Sequence, residues 1–258
     1  MMERNVKYRY NIGFASIAVV LWIVLLTIQY VSYLPDFSPL EKAFLLIADV
    51  DYSFDALGIG VIILLTSGYL EEATKKGMRI GLLKWGKTIC FVMLIVYMLI
   101  GLLSLINNSW SKGLISLIEA NESGAIMLPL LPASKKLTEL LSPCQASVIQ
   151  VCLTSINFFM YGVIFVYSRY LFRNTAGSIV AVFSMHIIGK FALENWPIWV
   201  IFTPQSYFYI QNYNYWSSLP TPYTIATLIR MVLILCFAIC GTTLIGGWVC
   251  RKNKRTVL

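Results

Sequence analysis

Six predominantly apolar runs, at 12–34, 54–70, 89–106, 148–170, 176–193 and 225–249, constrain this chain more than any single motif. A stretch of about 17 to 25 apolar residues is long enough to cross a bilayer as a helix. The runs predict an all-α, polytopic membrane protein: six transmembrane helices forming one domain over 1–258. Composition agrees, because charged residues make up 12% of the chain against 58% hydrophobic, with mean hydropathy +0.74. A soluble domain carries about 25% charged residues. The deficit extends along the whole chain, which excludes a soluble globe with one membrane tail and also excludes disorder. The first run follows Arg4, Lys7 and Arg9 as a signal peptide would. It is too long for the apolar core of one and no small-x-small site follows, so it is expected to remain as an anchor.

The net charge of +8 is explained by topology rather than by a nucleic-acid partner. Loops on the cytoplasmic side collect Lys and Arg, whereas translocated loops do not. With the N-terminus inside, the inner side holds Arg4, Lys7, Arg9, Lys75, Lys76, Arg79, Lys84, Lys87, Arg169, Arg173, Arg251, Lys252, Lys254 and Arg255, fourteen of the twenty basic residues. The outer side receives Lys42, Lys112, Lys135 and Lys136, while Lys190 and Arg230 fall within spans near their outer ends. Of the acids only Glu3, Glu71 and Glu72 are inside. Both termini are therefore expected in the cytoplasm, and the protein in the cell membrane.

Loop sizes then separate surfaces that can dock a partner from those that cannot. The inner connection around Arg173 is a few residues long, which leaves 71–87 as the one inner segment able to form a docking helix. Outside, 107–147 is long and carries apolar patches at 114–118 and 126–131 that are too short to span and are expected to lie at the interface. The second outer segment, 195–224, holds ten aromatic residues in thirty, among them Trp196, Trp199, Tyr207, Tyr209 and Trp216. Such rings favour the headgroup zone. An interfacial belt and a re-entrant or lid-like element contacting an amphipathic cargo both need these residues.

Several patterns look like chemistry. Gly81-Leu82-Leu83-Lys84-Trp85-Gly86-Lys87-Thr88 satisfies G-x-x-x-x-G-K-[ST], but a phosphate loop must follow a buried strand and open a soluble helix. Here a basic stretch precedes it and a span follows, so no nucleotide site is read; the residues form a basic, Trp-anchored lead-in to the third span. Glu71, Glu72 and Lys76 resemble the glutamate pair of intramembrane CAAX-type proteases, whose site needs more than the one histidine this chain has. No G-x-S-x-G elbow occurs, and no zinc cluster of familiar spacing can be drawn from six cysteines and one histidine. Neither catalytic nor metal-binding nor cofactor-binding residues are expected. Two Asn-x-Ser sequons, at Asn107 and Asn121, matter only in a host that glycosylates.

His186, Lys190 and Glu194 recur at i, i+4 and i+8 and share one face of a helical fifth span. Ionisable groups at membrane depth are costly and point to function. The alternative is structural: Lys190 and Glu194 snorkel outward, His186 packs between helices, and Arg230 on the sixth span pairs with Glu194 as a clamp. Gln150 and Asn157 on the fourth span are expected to bond between helices.

This layout resembles the permease subunits of type-2 ATP-binding-cassette exporters, especially the small Gram-positive permeases linked to antimicrobial-peptide export or immunity. The resemblance covers nearly the whole chain and rests on six spans with both ends inside, a basic segment between the second and third spans, and a bulky outer element between the fifth and sixth. Locally, Arg79, Trp85 and Lys87 look like the basic-Trp-Lys stretch before the third span in such permeases. The long 107–147 segment departs from the compact connection usual there.

The resemblance implies a transport subunit that binds no ATP itself and is coupled through Glu71, Glu72, Lys75, Lys76, Arg79, Lys84, Trp85 and Lys87 to a separate cytoplasmic ATPase. A second permease chain would complete the export path. A non-transporting immunity or scaffold protein, and an ion-coupled carrier using the His186, Lys190 and Glu194 stripe, are the other expectations. Aromatic enrichment outside favours an amphipathic peptide or lipid-like cargo over a small ion.

Overall fold

Helix starts are written into the chain as short polar side chains placed just before apolar segments. In the computed structural model, which describes residues 21, 37–49, 57–66, 69–123, 133–172, 174–195, 229 and 233, every regular element is helical. The first and sixth expected spans apart from Leu21, Ile229 and Leu233, the aromatic segment 196–224, Arg230 and both termini lie outside the described residues.

Helix α1 (Pro39–Ala48) opens with a capping box: Ser38 Oγ accepts the Glu41 N–H at 3.3 Å and the Glu41 carboxylate accepts the Ser38 N–H at 2.7 Å. Pro39, whose missing N–H would be an orphan in the first turn, follows the cap. After α2 (Ile59–Thr66) come α3 (Glu71–Lys76) and α4 (Met78–Ile106), joined at Gly77 with φ +145°, a conformation essentially reserved for glycine. Ser111 caps α5 (Lys112–Glu122) through the Leu114 N–H, and Ser134 caps α6 (Lys135–Leu140) through the Leu137 N–H. Ser142 and Gln145 exchange reciprocal bonds at the start of α7 (Pro143–Phe172). Asn174 Oδ1 accepts the Gly177 N–H in the first turn of α8 (Thr175–Asn195).

Two of these helices, α4 and α7, are long and apolar enough to cross a membrane. At 29 and 30 residues they measure roughly 44 Å, more than the ~30 Å of a hydrocarbon core. Their environments differ. Only 6% of the most apolar stretch of α4 is buried, against 56% for α7. Helix α7 is the hub, touched by α1, α2, α3, α4 and α8, whereas α4 turns Phe91, Leu94, Met98, Leu102 and Leu105 outward.

The core forms at both ends of the hub. At the N-terminal half of α7, Phe44 and Leu45 from α1 meet Leu114, Ile118, Leu137, Leu153 and Met160. The segment expected to lie at an interface instead folds back here, with Leu114 and Ile118 buried as α5 packs inward; patch 126–131 lies outside the described residues. Trp110 fixes this cap, edge-on to Phe44 with ring centroids 5.5 Å apart and its indole N–H donated to the Leu141 carbonyl at 2.7 Å. Toward the other end, Leu65 and Leu70 meet Trp85, Tyr161, Phe165, Val166 and Val182. The expected boundaries shift accordingly: the run 89–106 belongs to a helix that starts at Met78, so Lys84, Trp85 and Lys87 ride on that same helix, and the helix carrying 148–170 begins at Pro143.

Candidate functional site

The basic segment 71–87 is a helical hairpin whose two arms nearly touch. A Cβ on Gly81 would lie 2.7 Å from Thr74 Oγ1 and 3.3 Å from Val166, so α3 can fold back over the start of α4 because position 81 has no side chain. Thr74 is buried with its hydroxyl donated to the Leu70 carbonyl at 2.8 Å. Residues 81–88, which match the phosphate-loop pattern, are turns of α4, with the Gly81 N–H already given to the Gly77 carbonyl and the Thr88 hydroxyl to the Lys84 carbonyl at 3.0 Å.

The eight residues of this segment divide by environment. Trp85 is 1% exposed: its indole lies against Gly162 of α7, and Nε1 donates to the carbonyls of Phe158 at 3.1 Å and Phe159 at 3.2 Å. The Trp expected to anchor the lead-in to the third span is a key set into the hub. Lys84 is held too, donating to the Tyr69 carbonyl at 2.6 Å with its ammonium 4.2 Å from the Tyr69 ring centroid. Tyr69 in turn shares a 2.8 Å hydrogen bond with Thr88. Glu71 pairs with Lys75 at 2.7 Å along α3 and with Arg169 of α7 at 3.7 Å. Lys75, Lys76, Arg79 and Lys87 remain exposed beside Ile80 and Leu83, also exposed; Glu72 sits on α3.

Glu71 and Arg169 are each 14% exposed, so their pair is largely desolvated. Removing one charge from such a pair leaves the other without compensation. Glu71→Gln is expected to lower stability by about 2 kcal/mol, read as earlier thermal aggregation of the full-length protein in detergent. Lys75→Gln, whose charge is more than half exposed, should change it little.

Of the expected stripe on α8, His186 is 4% exposed, and its Nδ1 shares a 2.9 Å hydrogen bond with the Tyr161 hydroxyl on α7, the rings meeting edge-on at 5.9 Å. Lys190, a turn further, is half-buried, and Glu194 is the penultimate residue of α8. The expected clamp with Arg230, like the aromatic element Trp196, Trp199, Tyr207, Tyr209 and Trp216, lies outside the described residues. Gln150, expected to bond between helices, donates to Thr154 one turn along its own helix at 3.0 Å, and Asn157 Oδ1 has no hydrogen-bond partner among the described residues.

Sequence reasoning did not reach Tyr69, Gly162 and Arg169, which hold the basic hairpin on the hub. Arg169 was legible as an inner-side cation but its partner was not, because a contact nearly a hundred residues away in sequence leaves no local pattern. Among the described residues no group of three or more His, Cys, Asp or Glu could hold a metal ion. No protein-family model, curated protein or solved structure matches the chain.

Proposed function

We propose that the chain is the membrane-spanning permease subunit of an ATP-driven exporter, multi-pass in the cell membrane with six helices and cytoplasmic termini. A separate ATP-binding-cassette ATPase supplies ATP hydrolysis, a second permease chain completes the path, and the cargo is an amphipathic peptide or lipid-like molecule. The observation that carries this reading is the mechanical connection of the basic hairpin. Lys75, Lys76, Arg79 and Lys87 present charge on a rigid element, and Trp85 and the Glu71–Arg169 pair join that element to the helix around which the others assemble. A force applied by a docked partner would therefore reach α7 directly.

The test is purification of the tagged full-length protein in mild detergent from its host, with co-purifying chains identified by mass spectrometry. An ATPase containing a phosphate-binding loop is expected in near-stoichiometric yield. Reversing charge at Lys76, Arg79 and Lys87 together should reduce its recovery by at least about tenfold, since rim charges set encounter and register, while leaving membrane insertion intact. Recovery of the protein without an ATPase at every detergent strength would overturn the reading.

A further inference from the structure

Helix α7 carries a second pattern along a different face. Ser147, Gln150, Thr154, Asn157, Tyr161 and Ser168 follow the spacing of 3, 4, 3, 4 and 7 residues, which at 100° per residue confines them to an arc of about 80°. All six are buried: Ser147 and Gln150 completely, Tyr161 at 1% and Asn157 at 3% exposure. From first to last they cover about 32 Å of helix, close to the ~30 Å of a hydrocarbon core. Phe165, completely buried, falls on the same arc between Tyr161 and Ser168, and Tyr161 packs in the apolar cluster that holds Trp85, so the polar row is continuous from Ser147 to Tyr161.

A row of buried polar groups inside a membrane bundle is expensive unless each finds a partner. Ser147 donates to the Pro143 carbonyl at 2.7 Å, Gln150 to Thr154, and Tyr161 meets His186. Asn157 breaks the series. Its Oδ1 is buried without a partner among the described residues, on the same face as Tyr161 and one turn away from it. A buried acceptor flanked by hydroxyls and an amide has the polar surroundings that ordered water requires.

The geometry points to an ordered-water site on this face of α7 at Asn157 Oδ1, whose water exchanges protons with the His186 ring. The exchange is one proton for one: a ring N–H proton leaves to water as another arrives, and no net charge moves. Among the described residues, Tyr161 of α7 meets the imidazole and Lys190 lies one turn further along α8; α2, which also packs against α8, brings no titratable side chain. The inference goes beyond the exporter reading, since it concerns what the path through the subunit contains and not what drives it.

The chain's single histidine allows a direct test on the unaltered full-length protein in lipid, without the ATPase. Magnetisation transfer from water to the ¹⁵N-labelled imidazole should be seen in the wild type. Asn157→Leu should slow it by about tenfold, and Thr154→Val, which keeps the side-chain shape, should slow it in the same direction. The Tyr161–His186 bond, read from the Nδ1 signal, serves as the check that each variant is folded. Absence of exchange in the wild type overturns the inference. So does exchange that both folded variants leave unchanged, because water would then arrive by another route. Neither result bears on ATPase recovery, so the two readings fail independently.

Discussion

Gly162→Ala is expected to be among the most damaging single-methyl changes in this protein. A Cβ at 162 would fall within the indole of Trp85, against Cδ1, Nε1 and Cε2 together. An exposed side chain could swing aside, but Trp85 is 1% exposed and tied by its N–H to the carbonyls of Phe158 and Phe159. Either the indole leaves its slot or α4 separates from α7. In the proposed membrane setting no water is released when α4 and α7 meet, so their association rests on close contact and on hydrogen bonds, and small residues are what permit the approach. Overpacking such a site costs about 3 kcal/mol, enough to lower the melting temperature of the detergent-solubilised protein by roughly 10 °C. Trp85→Leu alone should also destabilise, by lost packing and lost hydrogen bonds. In combination, however, the smaller side chain makes room for the new methyl, and the double variant should be more stable than the sum of the single effects by at least about 1 kcal/mol. Strict additivity would show that the two residues do not share the contact.

The apolar runs made the helical class legible because 58% hydrophobic and 12% charged leaves few other outcomes. Apolar run length found α4, α7 and α8, yet it placed the starts of α4 and α7 late; at α4, Lys84 and Lys87 were read as a lead-in to the apolar run when they belong to the early turns of the same helix. The missing signal was capping. Ser38 to Glu41 and Ser142 to Gln145 both read S-x-x-E/Q, each followed by apolar residues, and each marks a helix start. Reading them would have turned two loops into α1 and a longer α7.

The lead-in to α4 was legible as basic and Trp-anchored, but not as a keyed joint. What decides whether Trp85 lies at a surface or in a core is the glycine at 162, and nothing local to residue 85 encodes it. The same holds for His186: its spacing with Lys190 was visible, whereas its bond to Tyr161 depends on how α7 and α8 pair. Sequence periodicity reports which face of a helix is unusual; which neighbour that face meets is a property of the assembled bundle.

Replacing Glu41 with alanine is expected to release the cap that α1 and α5 form over the N-terminal half of α7. Glu41 is completely buried, and its carboxylate is divided between two helix starts: one oxygen accepts the Ser38 N–H at 2.7 Å, the other the Ser111 N–H at 2.5 Å. The first four N–H groups of a helix have no partner within it, and a negative charge there is favoured by the helix dipole. One side chain therefore caps α1 and fixes the position of α5 relative to it. Alanine leaves both half-buried donors without their charged acceptor, at a cost of about 3 kcal/mol. Amide hydrogen exchange in α1 and α5 should then quicken by about a hundredfold, with the start of α4 around Trp85, which packs in a different cluster, unaffected. Glu41→Gln separates shape from charge. Glutamine has the same size but one acceptor, and its NH₂ would face the second backbone donor. If the carboxylate acts as a double acceptor, Gln is nearly as harmful as Ala; if Glu41 merely fills space, Gln is harmless and exchange in α5 stays at the wild-type rate.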